Sequence, residues 1–181
     1  LITYLVSFGV LVFGVNFNLY YYIMLRKFKA FFGDEELRTY LMIVGVSSLL
    51  IACNILHLYH NFADSFEMSF FQVSNVITTT GFGFGNTVDW PLFSQFLLLM
   101  LMVVGGSAGS TAGGLKVIRF LILARIGKNQ IRSTLSPNRV MTLHVNGTAL
   151  DKDTQHKILK YFVVYTLIMI SLIAVVSFDS N

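Results

Sequence analysis

The chain has 181 residues, of which 55% are hydrophobic, 14% aromatic and only 12% charged, with a mean hydropathy of +0.69. Soluble chains carry about twice that share of charge, so an ordinary soluble fold is excluded, and one cysteine with two prolines excludes a disulfide scaffold, a cysteine metal cluster and a disordered linker. The net charge of +4 suits nucleic acid only if the basic residues form one patch, and they do not.

Leu1 to Leu25 carries no charge and closes on Tyr20-Tyr21-Tyr22 and then Arg26-Lys27, an aromatic belt followed by a basic anchor. That pattern predicts a transmembrane helix over 1–25. Asp34-Glu35-Glu36 opens a second apolar run, Leu37 to Leu58, with carboxylates where a helix N-terminus is partly positive. Phe66 to Thr78 is apolar and aromatic but too short to cross a bilayer core, which takes about 20 helical residues. Lying between two spans, it predicts a re-entrant helix that enters and returns on one side. A third span starts near Pro91 and runs to Val104, and a fourth covers about Ile158 to Val176. The expected fold is an all-α membrane protein, a helix–re-entrant helix–helix unit with flanking transmembrane helices.

Arg26, Lys27, Lys29 and Arg38 fall between the first two spans, and the other nine basic residues fall between the third and the fourth. The stretch from His57 to Gln95 has none and carries only Asp64, Glu67 and Asp89. By the positive-inside rule, residues 26–38 and 116–157 are cytoplasmic and 57–95 external. Every Lys and Arg is then a topology signal, and no nucleic-acid partner is expected.

Two stretches carry chemistry. After the re-entrant helix comes Thr78-Thr79-Thr80-Gly81-Phe82-Gly83-Phe84-Gly85. Alternate glycines allow backbone conformations closed to other residues, so successive carbonyl oxygens can replace the water around a potassium ion. The competing reading is a plain external turn. The third span is interrupted by Gly105-Gly106-Ser107-Ala108-Gly109-Ser110-Thr111-Ala112-Gly113-Gly114. Each glycine is about 1 kcal/mol worse than alanine in a helix, so the run unwinds. Directly inward of the filter candidate, it reads as a gate. Its small residues also suit close helix packing, which would make the chain a structural or assembly protein. Gly105-Gly106-Ser107-Ala108-Gly109 matches the G-x-S-x-G elbow of hydrolases, but no base is placed to serve Ser107, so no enzyme is expected. Lys116 and Arg119 either anchor the helix at the interface or take part in gating. Asn16, Asn18 and Asn54 are expected to hydrogen-bond between helices, and Cys53 to be a buried packing residue.

The motifs TTTGFG, GGSAGSTAGGLKVIRFLIL, GVNFNLYY and DEELRTYL together resemble the TrkH family of bacterial potassium-uptake proteins, in the TrkH/KtrB superfamily. The likeness covers essentially the whole chain. It implies four linked helix–pore helix–helix units around one pore, of which residues 1–25 are the closing helix of the second. Residues 34–126 are then the complete third unit, 127–156 a cytoplasmic connector, and 157–177 the opening helix of the fourth. By the same resemblance, Thr79, Thr80, Gly81, Phe82 and Gly83 form a quarter of the selectivity filter, and Gly105 to Gly114 the gating loop. The implied cargo is potassium, moved passively or with coupled sodium or protons and without a cofactor. The implied setting is the inner membrane, in a homodimer bound to a TrkA-type cytoplasmic nucleotide-binding ring, with Ser136-Pro137-Asn138 in the docking face. The chain is expected to be an internal portion of a longer transporter, whose other pore units complete the pathway.

Overall fold

The computed structural model describes residues 2–82, 87–135 and 143–178. Gly83 and the Ser136-Pro137-Asn138 region lie outside the described residues. The chain divides into two compact units, Leu1–Ile118 and Arg119–Asn181. Apart from one short hairpin, the described elements are helices.

In the first unit, α1 (Ile2–Phe13) and α2 (Phe17–Met24) occupy the predicted first span. They are not one straight rod: their axes differ by 94°. The bend has a local cause. Gly14 passes so close to Tyr40 and Thr78 that a Cβ there would lie 2.7 Å from the Thr78 methyl group, and Asn16 then starts a fresh helix by accepting a hydrogen bond from Asn18 N at 3.0 Å. A break at membrane depth leaves orphan carbonyls that must find donors inside the protein. Those at this break do, although Leu11 O and Val12 O also accept locally from Gly14 N at 3.1 Å and Val15 N at 3.2 Å. Leu11 O accepts from the Tyr40 hydroxyl at 3.3 Å, Val12 O from the Tyr20 hydroxyl, Phe13 O from Thr111 Oγ1 at 3.2 Å, and Gly14 O from Ser107 N at 3.0 Å.

A short α3 (Phe28–Gly33) leads into α4 (Glu35–Ile55), where Asp34 caps the helix by accepting from Leu37 N at 2.8 Å. The face of α4 turned into the unit includes Tyr40, Ser47, Ser48, Ile51 and Ala52, while Leu41, Met42, Val46, Leu49 and Leu50 point outward. The inner face is the more polar of the two, as small residues permit close helix approach where lipid tails are as apolar as leucine. Cys53 is exposed on this helix, contrary to expectation. A thiol is of low polarity and suits an apolar surface as well as a core, so its polarity did not decide its place.

The re-entrant candidate is α5 (Phe62–Ile77), four residues longer at its start than the apolar run alone predicts. It packs against α1, α4 and α6 (Leu92–Val104). Ser69 Oγ donates to Ser48 O at 2.9 Å, joining α5 to α4, and Ser94 Oγ donates to Asn54 Oδ1 at 2.7 Å, joining α6 to α4. Asn54 therefore takes the interhelical role expected of it.

The second unit contains nearly all of α7 (Val117–Leu135), a hairpin of β1 (His144–Val145) and β2 (Thr148–Ala149), and α8 (Lys152–Phe178). Asn146 and Gly147 form the turn with φ of +49° and +77°, the left-handed pair that two-residue hairpins favour. No residue of α8 is buried. By length and composition, two helices can cross a membrane, Glu35–Leu58 and Lys152–Phe178, and the bent pair α1–α2 makes up to three, among the described residues.

Candidate functional site

Two non-helical stretches of the first unit touch each other, and both are the stretches singled out above. The first follows α5. Its last turn is closed by Thr78 N to Ser74 O at 3.3 Å, Thr79 N to Val76 O at 3.1 Å and Thr80 N to Asn75 O at 3.0 Å. Thr79 then takes φ +55° and Gly81 φ +77°. For a β-branched residue that region is strained, so the strip is held there by its surroundings. One clamp is Asn75. Its side-chain oxygen accepts from Phe82 N at 2.9 Å, and its amide donates to Phe82 O, holding both backbone polar groups of one residue. Thr79, Thr80, Gly81 and Phe82 are all exposed. The carbonyl oxygens of Thr79, Thr80 and Gly81 accept no hydrogen bond among the described residues.

The second stretch interrupts the third span. α6 stops at Val104, and the chain is non-helical through Lys116. In an unbroken helix Val103 O and Val104 O accept from the fourth residue onward. Here they accept from Leu115 N at 3.0 Å and Lys116 N at 2.9 Å, and Gly106 O accepts from Val117 N at 2.9 Å. The glycine-rich run is thus an excursion that leaves the end of α6 and returns to it. Its two ends cross at Gly105 and Gly114, both with positive φ, so tightly that a Cβ on Gly114 would lie 2.6 Å from Gly105 Cα. Only glycine serves at such a crossing.

The loop is tethered on several sides. Gly113 N donates to Thr79 Oγ1 at 2.7 Å, which seats the loop on the strip. Ser107 N and Thr111 Oγ1 donate to the carbonyls at the α1 break, and Phe17 N donates to Gly109 O at 3.1 Å. The two broken spans therefore satisfy each other's backbone. Glu36 Oε1 accepts from Ala108 N at 2.6 Å and from Ile118 N at 3.2 Å.

A family model described as TrkH, cation transport protein, matches residues 1–180. The chain belongs to the TrkH family. It is 33% identical over 180 residues to the Trk system potassium uptake protein TrkH of Salmonella typhimurium, covering 96% of this chain and 37% of that protein. Against the potassium uptake protein TrkG of Escherichia coli it is 30% identical over 164 residues, 90% of this chain and 34% of the relative. The crystal structure of the potassium transporter TrkH from Vibrio parahaemolyticus superposes with a TM-score of 0.88 at 31% identity, over 94% of this chain and 37% of that one. The chain thus spans just over a third of the length of these TrkH-family proteins.

Within this member of the family, Thr79, Thr80, Gly81 and Phe82 form one exposed strip and Gly105 to Gly114 one loop against it, whereas Gly83 is outside the described residues. Lys116, with φ +81°, turns its ammonium back to Ala112 O at the foot of the loop. Arg119 belongs to the second unit, where its guanidinium lies 4.0 Å from the Tyr161 ring centroid. Three participants were not singled out from sequence. Asn75 and Gly14 gave little signal, one being a polar residue in a helix and the other a glycine in an apolar run. Glu36 stood in an acidic triplet whose simplest reading was helix capping, a role that Asp34 fills.

Proposed function

We propose that this chain is part of a channel-like transporter subunit for potassium uptake across the inner membrane. In this reading Thr79 to Gly83 form one quarter of a backbone-carbonyl selectivity filter, and Gly105 to Gly114 the loop that gates beneath it. The carrying observation is the strip after α5: exposed, clamped by Asn75, with the oxygens of Thr79, Thr80 and Gly81 unclaimed by the described residues. Oxygens so placed can substitute for water around a dehydrated cation. The C-terminal end of α5 is partly negative and favours a cation at the same place. The names of the relatives support potassium as the cargo.

A single strip does not surround an ion, so the remaining pore units must come from the rest of the transporter. A homodimer, a TrkA-type nucleotide-binding ring on the basic cytoplasmic surface, and sodium or proton coupling belong to the same reading. The test is made in the full-length parent, expressed in cells that lack potassium uptake. Gly81→Ser and Gly81→Asp should lower uptake, or the preference for potassium over sodium, several-fold at unchanged protein level. Uptake and preference both equal to the parent's would remove the filter assignment.

A further inference from the structure

Glu36 is placed oddly for a helix-capping acid. It is only 4% exposed, and one oxygen, Oε1, receives two backbone amides, one from within the glycine-rich run and one from beyond its end. Ala108 is inside the loop, and Ile118 is in the first turn of α7 after it. Asn16, at the break between α1 and α2, is among the polar groups that act on the same carboxylate. The start of α4, the loop, the resumed span and the broken first span therefore converge on one side chain. Hydrogen bonds to an ionised acceptor are roughly twice as strong as neutral ones, and a buried carboxylate stripped of its donors is strongly disfavoured. The loop's tethers to the rest of the fold are otherwise to neutral groups, the carbonyls of Phe13 and Gly14, the amide of Phe17 and the hydroxyl of Thr79, while the Lys116 ammonium on Ala112 O comes from the foot of the loop itself.

We propose that Glu36 is the latch of the glycine-rich loop, a positioning residue whose carboxylate holds Ala108 and Ile118 together and so sets how often the loop leaves the pathway. The proposal rests on the gating reading above for its effect on transport, but not for its effect on the loop itself. Any outward swing of residues 107–113 that carries Ala108 away must break its 2.6 Å bond to Glu36 and leave the carboxylate with half of its backbone donors. α4 need not move.

The experiment uses the reconstituted full-length transporter with Glu36→Ala and Glu36→Gln, each also in a background carrying Cys53→Ser and Ala108→Cys. Two quantities are read: single-channel open probability, and the rate at which a soluble maleimide labels the introduced thiol. Glu36→Ala should raise both several-fold, with the potassium-to-sodium permeability ratio unchanged. Glu36→Gln should fall between Ala and wild type, because an amide oxygen still accepts both bonds but carries no charge. Wild-type or lower values of both in variants that accumulate normally overturn the latch. Should the Ala variant fail to accumulate, Gln decides alone, and labelling at the wild-type rate is fatal to the proposal. A transporter shortened within residues 107–112 separates this from the underlying reading. If shortening opens the pathway and the Glu36 variants do not, the latch fails and the gate stands; if neither opens it, both fail.

Discussion

Gly81 and Gly114 carry similar left-handed backbone, with φ of +77° and +81°, yet alanine should behave differently at the two. Nothing lies within 4 Å of a Cβ added to Gly81, so the penalty there is conformational alone, about 1 kcal/mol. At Gly114 the added carbon meets the backbone of Gly105 at 2.6 Å, and main chain does not step aside as a flexible side chain does. Overpacking of that kind adds roughly 1–3 kcal/mol. Gly114→Ala should therefore lower the apparent Tm of the full-length transporter by several degrees in a fluorescence thermal shift, while Gly81→Ala melts close to wild type. Equal melting of the two would show that the loop's ends do not cross as described. The glycines themselves were legible in the sequence; their different duties were not, because φ and close approach depend on partners elsewhere in the chain.

At the scale of elements, α5 does two jobs: it packs into the unit through a polar face, and it carries the strip on its C-terminal end. Asn75 joins the two. Replacing it with leucine keeps the approximate volume but removes both hydrogen bonds to the Phe82 backbone, a loss of about 1–3 kcal/mol for groups left unpaired. Asn75→Leu should reduce the potassium-over-sodium preference several-fold in competition flux assays while total cation flux persists. Unchanged preference would mean that Asn75 packs the helix and does not shape the strip. Helix periods and apolar lengths disclosed α4, α5, α6 and α8, with the start of α5 misplaced because His57 to Asp64 mixes polar and aromatic residues. The α1–α2 break was hidden inside an uncharged apolar run. Gly14 followed by Asn16 is a fair stop-and-restart signal, but nothing in the local sequence shows that Tyr20, Tyr40, Ser107 and Thr111 stand ready to satisfy the freed carbonyls. The Asn-Gly pair at 146–147 is a hairpin signal that the reading of 127–156 as a plain connector did not use.

For the whole molecule, charge placement makes a prediction that side-chain packing does not. With Cys53 replaced by serine, Asp89→Cys in intact cells should react with a membrane-impermeant maleimide, and Lys128→Cys should react only after the membrane is opened. The reverse pattern would invert the proposed topology and put the strip on the wrong side of the loop. The outward leucines, methionines and valines of α4, and the unburied α8, fit surfaces that meet lipid or further helices of a longer transporter. The chain spans only 37% of its TrkH relative from Salmonella typhimurium, so the proposed pathway is tested in the full-length transporter.

Sequence alone determined that this chain belongs in a membrane and where it cannot stay helical, because apolar run length and glycine content are read locally. It also carried the family likeness, since the TTTGFG and glycine-rich motifs are contiguous. Only the tertiary structure decided which faces pack within the described unit and which stay exposed, because in a bilayer apolar character no longer separates inside from outside. Only it paired the two helix breaks, seated Gly113 on Thr79 and brought Glu36 to amides that are 72 and 82 residues further along the chain. Unsatisfied backbone groups in an apolar medium must find partners wherever the fold offers them, and no local pattern records that choice.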